Sequence, residues 1–385
     1  MNRTLEHIQP SLTLAITSRA KQLRADGHSV CNFSAGEPDF DTPETAKKAC
    51  ADALFAGRTK YTPAAGDPAL RAAIREKLRR ENGLDVADDG IIVSCGAKHS
   101  LANVFLALCN PGDEVVIPAP YWLSYPEMVR IAGGTPVFVA ATVESGLKIT
   151  AAQLEAAITP RTVALVLNTP CNPTGAVYDE AELRALADVC VRHGVWIVAD
   201  EIYERLVYDG ARHVSVASLS PEIAARTVTV NGFSKAFAMT GWRMGYAAGP
   251  REFIRAMATV QSHTAGPPAT FAQCGGVYSL GHCEEEVRGM VAAFAARRDR
   301  IVGLLRDIPG VRCVEPRGAF YVFPDISSFG LDSQTFARRL LDERHVALVP
   351  GAAFGSDANV RLSYACGVDE IEEGLRRIRE FCAAL

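Results

Sequence analysis

The sequence predicts an α/β protein: a mostly parallel sheet with helices on both faces, joined to a smaller α+β unit formed by both chain ends. Three observations carry this. Between about residues 90 and 250, short apolar runs rich in β-branched residues alternate with amphipathic stretches, the pattern of buried parallel strands linked by helices. After about residue 280 that rhythm gives way to a long helical pattern followed by isolated strand candidates. The 385 residues also exceed what one compact core accommodates, so a large unit with a smaller companion is expected.

In chain order, residues 1–45 lack the alternation and are expected to form an N-terminal arm that belongs with the small unit. Residues 46–280 form the large unit, with strands at Ile91–Val93, Glu114–Ile117, Val137–Val139, Val163–Leu167, Trp196–Val198 and Val228–Val230. The segment 179–194 illustrates a connecting helix. Asp179 is suited to cap it, Leu183, Leu186, Ala187 and Cys190 share one face, and Gly194 ends it. Residues 281–385 form the small unit, with a helix over Glu284–Leu305, strands at Ala319–Phe323 and Val346–Val349, and an amphipathic helix from Asp369.

The bulk composition narrows the function classes. A formal net charge of -4 with no long basic run gives no footprint for nucleic acid or an anionic membrane surface. Eleven cysteines are scattered from Cys31 to Cys382 with no CxxC pair and no mixed Cys/His spacing, so no metal site and a reducing, cytoplasmic setting are expected. No apolar stretch reaches ~18 residues and no signal-peptide core follows Met1, so neither membrane spanning nor secretion is expected.

The chemistry concentrates where apolar runs end, the positions at which parallel sheets collect ligands. Lys235 lies among small and apolar residues in Val230–Tyr246, and Arg243 follows eight positions later. An amine in such surroundings has a lowered pKa and attacks aldehydes, while a nearby guanidinium holds a phosphate; the bland alternative is a snorkelling surface lysine. Ser94-Cys95-Gly96-Ala97-Lys98 ends one strand and opens a helix, so the amides of Gly96, Ala97 and Lys98 can cradle a phosphate, although many strand-to-helix turns contain glycine. Trp122 fits either a core plug or a flat face for an aromatic ring. Asn172 sits in the rigid turn Asn168–Gly175, which reads as a plain turn or as a device that aims the asparagine. Asp200 ends Trp196–Ala199, with Tyr203 three residues on, and a carboxylate at that depth needs a cation such as a protonated pyridine nitrogen. An amine, a guanidinium and a buried aspartate are together what pyridoxal 5'-phosphate requires.

These residues belong to ordered motifs that run nearly end to end: Ala35–Pro43, Lys60–Gly66, Asn172–Gly175, Asp200–Tyr203, the Lys235 segment, Gly318–Tyr321 and Val360–Tyr364. With them the chain resembles the fold-type I, class I pyridoxal-phosphate aminotransferases, in the bacterial aspartate aminotransferase subgroup that includes aspartate/prephenate aminotransferases. The resemblance implies that Lys235 carries the cofactor and then acts as general base. Asp200 is implied to pair with the pyridine nitrogen, Asn172 and Tyr203 with the phenolic oxygen, and Trp122 to stack on the ring. Arg243 and the Gly96-Ala97-Lys98 turn are implied at the phosphate, joined by Tyr61 from a second subunit of a homodimer with shared active sites. On the substrate side, Arg361 is implied to clamp the α-carboxylate with Gly36, Trp122 and Asn172 nearby, while Lys98 with Ser11 and Thr13 receives a distal carboxylate.

The implied reaction is ping-pong transfer of an amino group between L-aspartate and 2-oxoglutarate, with small amino and keto acids as partners. Prephenate, whose side chain also ends in a carboxylate, is the alternative substrate. A lyase on the same fold is disfavoured by the two acid-recognising residues Lys98 and Arg361. A cofactor-bearing transcription regulator is not expected either, because the stretch before Ala35 is short for a DNA-binding module. The chain departs from the pattern at Ala265 and Gly266, at Cys171, and at His99, where a glutamine is frequent.

Overall fold

The structure, a computed structural model, describes residues 12–385 together with Glu6 and Ile8, without the side chains of Thr13 and Leu14. Its strands are β1 (Cys31–Asn32), β2 (Ile91–Ser94), β3 (Glu114–Ala119), β4 (Thr135–Ala140), β5 (Thr162–Asn168), β6 (Trp196–Asp200), β7 (Thr227–Gly232), β8 (Gly245–Ala248), β9 (Tyr321–Val322), β10 (Val346–Ala347), β11 (Val349–Pro350) and β12 (Val360–Ser363). A seven-stranded sheet runs in the order β2-β8-β7-β6-β5-β3-β4. Its pairs are parallel except the two made by β8.

The alternation of side chains along each strand feeds two separate cores, as a sheet covered on both faces requires. Val115, Ile117, Val166 and Val198 point to the side covered by the helices Ala97–Leu108 and Arg251–Ser262. Val116, Leu165, Leu167 and Ile197 point to the other, where Leu183, Leu186 and Cys190 of the helix Glu180–His193 meet them. That helix is bounded as its sequence predicts. Asp179 accepts from the Glu182 amide while the Glu182 side chain returns to the Asp179 amide, and Gly194 closes the other end in the left-handed conformation.

β8 escapes sequence reading because Gly245-Tyr246-Ala247-Ala248 contains no β-branched residue. Its conformation comes from its neighbours: it lies between β2 and β7 and hydrogen-bonds to both. The candidate strand Ala319–Phe323 shortens to β9, with Ala319 at φ +56° in the approach. Val346–Val349 divides in two, β10 pairing with β1 and β11 with β12, so one apolar run serves two sheets.

The parallel β1–β10 pair aligns Cys31 with Val346 and docks the N-terminal arm on the C-terminal part. Cys31 and Phe33 then join Met290, Phe294, Leu340 and Phe381 in one core. We propose unit boundaries near residues 45 and 280; Cys283 and Val287 of the following segment still pack into the core of Leu70, Phe233 and Leu280.

Phe294 is fully buried and packs edge-on to Phe40 and tilted against Phe320. Phe294→Ala is expected to cost about 3–5 kcal/mol of stability, read as a lowered urea midpoint. A loss below ~1 kcal/mol would show that this core repacks freely.

Candidate active site

The sheet register gathers the polar residues at the carboxyl edge. Asn168 at the end of β5 aligns with Asp200 at the end of β6, and Asp200 aligns with Val230 of β7, five residues before Lys235. On the other side of β8, the turn after β2 leads into the helix Ala97–Leu108. These ends surround a cavity of about 460 Å³, within the usual range for a small-molecule site. Lys235, Asp200, Tyr203, Asn172, Trp122, Ala97, Lys98, Arg243, Gly36 and Arg361 all line it.

Burial sets the protonation chemistry. The Lys235 ammonium loses hydration, which brings its pKa down to about 8; Arg361 and Arg243 push the same way and Glu37 opposes them. Its Nζ donates to the Gly36 carbonyl. Asp200 is 3% exposed, and burial raises its carboxyl to about 6. The Tyr125 hydroxyl donates to it at 2.6 Å and the Ile202 amide at 3.2 Å, both favouring the carboxylate. Tyr203 and Tyr321 share a hydroxyl–hydroxyl hydrogen bond of 3.0 Å.

One end of the cavity is shaped for an anion by missing side chains. Gly96 adopts φ +85°, and a Cβ there would stand 2.6 Å from a terminal nitrogen of Arg243. A Cβ at Gly245 would stand 2.2 Å from the Ala97 nitrogen. β8 therefore lies flush against the first amides of the helix, whose N–H groups lack intrahelical partners, while Arg243 is anchored by donating to the Thr240 carbonyl at 2.9 Å. Lys98 rests 5.0 Å from the centroid of Trp122, and burial together with Arg243 lowers its pKa. Trp122 sits edge-on to Tyr125 and lines the cavity.

At the opposite end Arg361 is 2% exposed and packs its guanidinium over Tyr321 and Phe354. It donates to the Ser34 carbonyl at 2.8 Å and to the Asn172 side-chain oxygen at 3.1 Å, while its Nε has no partner. Among the described residues, no carboxylate forms an ion pair with Lys98, Lys235, Arg243 or Arg361. Four cations thus face one cavity that holds Asp200 and, at its rim, Glu37. A buried charge left this way costs several kcal/mol until an anion arrives.

Some sequence-assigned residues lie elsewhere. Tyr61 is fully exposed and away from the cavity. Ser11 and the Thr13 side chain fall outside the described residues. Gly36 presents its carbonyl to Lys235. Of the departures, Cys171 is buried with its thiol toward the Pro120 carbonyl, Ala265 is exposed, and the Gly266 carbonyl faces the Cys95 thiol. Sequence reading missed Tyr125, Tyr321, Glu37 and Thr17. Tyr125 carried a signal, because it follows Trp122 by three residues and so shares its side of the turn into a helix. Thr17 reaches the cavity only through the long-range packing of the N-terminal helix, where it hydrogen-bonds Ser34 at 2.9 Å.

Known proteins share this architecture and sequence. Residues 28–378 match the family described as aminotransferase class I and II. An aspartate aminotransferase of Geobacillus stearothermophilus is 49% identical, covering 98% of this chain and 97% of that protein. An aspartate/prephenate aminotransferase of Cereibacter sphaeroides is 50% identical over 100% of this chain and 99% of its own length. Among solved structures, the aspartate aminotransferase of Rhizobium meliloti superposes with a TM-score of 0.96 at 45% identity, covering 100% of this chain and 98% of that one. The Thermus thermophilus aspartate aminotransferase with maleate gives 0.95 at 46%, covering 99% of each.

The Lys235 shift has a thermodynamic signature in the ligand-free protein. Its folded pKa of about 8 lies below the ordinary 10.5, so between those values the unfolded chain binds more protons and stability rises with pH. The stabilisation is complete above 10.5 and disappears as pH falls through about 8. The unfolding free energy of wild type minus that of Lys235→Met should climb by up to about 3 kcal/mol across this window. A flat difference would mean that the amine is hydrated.

Proposed function

The chain belongs to the class I and II aminotransferases, and from that premise we propose that it exchanges the amino group between L-aspartate and 2-oxoglutarate, giving oxaloacetate and L-glutamate, with pyridoxal phosphate as cofactor. The observation that carries this reading is the convergence of four cations, without carboxylate partners among the described residues, on one cavity that also buries Asp200.

The residues suit the cofactor. Absent side chains at Gly96 and Gly245 leave the helix amides and Arg243 open to a phosphate, and a carboxyl raised to about 6 suits a cationic ring nitrogen. When bound, the cofactor supplies an aldehyde for the amine of Lys235 and a ring that accepts electrons from the substrate Cα. Asp200, whose carboxylate accepts from the Tyr125 hydroxyl, would hold a proton on the ring nitrogen. Asn172 and Tyr203, which line the same cavity, would donate to the phenolic oxygen, and Trp122 would cover one ring face. Lys235 Nζ, its pKa brought down to about 8 by burial, would take the proton from the substrate Cα.

Arg361 supplies two parallel donors for the α-carboxylate, and its packing between Tyr321 and Phe354 fixes their direction before substrate arrives. Lys98, at the other end of the substrate, receives the distal carboxylate together with Ser11 and Thr13. We further infer a cytoplasmic homodimer. Exposed Phe55 and Tyr61 support a contact with a second copy, in which Tyr61 reaches the neighbouring phosphate. No helix among the described residues is long and apolar enough to cross a membrane. A second reading, amination of prephenate, is favoured by the Cereibacter relative, and Lys98 serves its carboxylate equally well.

Lys235→Ala is expected to abolish turnover while the protein still folds. Arg361→Lys should lower kcat/KM for aspartate roughly 10–100-fold, since a single ammonium cannot replace two parallel donors. Lys98→Met should cut kcat/KM for aspartate by on the order of 10²–10⁴-fold and spare alanine, because only the dicarboxylate loses a partner. Steady-state rates with aspartate, alanine and prephenate check all three. Wild-type turnover by Lys235→Ala sinks the reading, and a prephenate rate far above that with oxaloacetate replaces the substrate.

A further inference from the structure

The helix Ala97–Leu108 starts without a side-chain cap at Gly96. One residue further upstream, the Cys95 amide donates a hydrogen bond of 3.1 Å to Nδ1 of His99. This is a variant of the capping box, in which the third helical residue reaches back to an N–H ahead of the helix; glutamine or glutamate normally fills that position. The bond closes the turn that presents the Ala97 and Lys98 amides, with Arg243 directly behind Gly96.

Glutamine makes this bond at any pH, but a histidine makes it only while Nδ1 is unprotonated. We propose that His99 is a positioning residue for the phosphate cradle, and that its protonation releases the Cys95 amide, loosens the turn and speeds cofactor loss. The proposal rests on the pyridoxal-phosphate reading above.

Charged groups lie on several of the elements around the imidazole. Lys98 precedes it on the helix and Arg243 faces the same turn, both cations, and Cys95 directs its thiol to the Gly266 carbonyl. On the packed helix Arg251–Ser262, Arg251, Glu252 and Arg255 are exposed, and on the helix Ser124–Ile131, Glu127 is paired with Arg130. β2 carries no titratable side chain, and Tyr246 of β8 is buried on the face opposite Ala247. Burial lowers the His99 pKa from its ordinary 6.5, so the hydrogen bond is intact at neutral pH and is lost only as pH falls through the lowered value.

The test loads wild type, His99→Gln and His99→Ala with pyridoxal phosphate and follows release by the loss of protein-bound visible absorbance during ultrafiltration, from pH 4.5 to 8. Asp200, Lys235 and the phosphate itself titrate alike in all three proteins, so differences between them report on position 99. Release from wild type should accelerate about tenfold relative to His99→Gln at the acid end and match it at pH 8. His99→Ala should release about tenfold faster than both at pH 8. Equal profiles for wild type and His99→Gln overturn the proposal, as does slow release from His99→Ala. If wild type binds no cofactor at all, the functional reading falls, and this inference with it.

Discussion

An amine and a carboxyl share one dry cavity, and the loss of water drives both toward neutrality. Lys235 descends to about 8 and Asp200 rises to about 6, so each comes within reach of the pH at which a metabolic enzyme works. Neither shift depends on an unusual residue. Both follow from placing an ordinary side chain at the carboxyl edge of a sheet buried on both faces, Asp200 at the end of β6 and Lys235 in the loop after β7, and the seven-stranded sheet provides that depth. The arrangement also explains why Tyr125 matters. Its hydroxyl holds Asp200 closer to the ionised form than burial alone would leave it.

Sequence made the large sheet legible, because Val-, Ile- and Leu-rich runs at strand length between amphipathic stretches have few other outcomes. It failed at β8, where alanine and glycine carry no β preference and only pairing with β2 and β7 decides the conformation. It blurred Val346–Val349, since an apolar run cannot say that a strand changes partners halfway. Within the site, Lys235 and Asp200 were visible as charges in apolar surroundings, and Arg361 only through the resemblance of its motif. Tyr321 and Thr17 were not, because their place depends on how the small unit and the N-terminal helix fold over the sheet edge.

That overlay rests on a shared core, in which Ile202, Tyr203 and Leu206 pack with Phe294 and Phe320, and on polar contacts made by the N-terminal arm. The segment after β1 meets the large unit through Gly36 with Lys235, Glu37 with Thr240 at 2.8 Å, and Thr42 with the Ala238 carbonyl at 2.9 Å. All three reach the loop that carries the reactive amine. The same stretch supplies the Ser34 carbonyl that orients Arg361, so the amine and the α-carboxylate clamp are aligned through one short piece of chain.

The guanidinium between Tyr321 and Phe354 has a consequence for anyone who purifies this protein. With no acidic partner beside it among the described residues, it offers small anions a buried counter-charge, and any anion that binds there would raise the apparent melting temperature by mass action. Melting curves recorded in phosphate, citrate or sulfate report the buffer as much as the polypeptide. A zwitterionic amine buffer with chloride as the counterion gives the baseline.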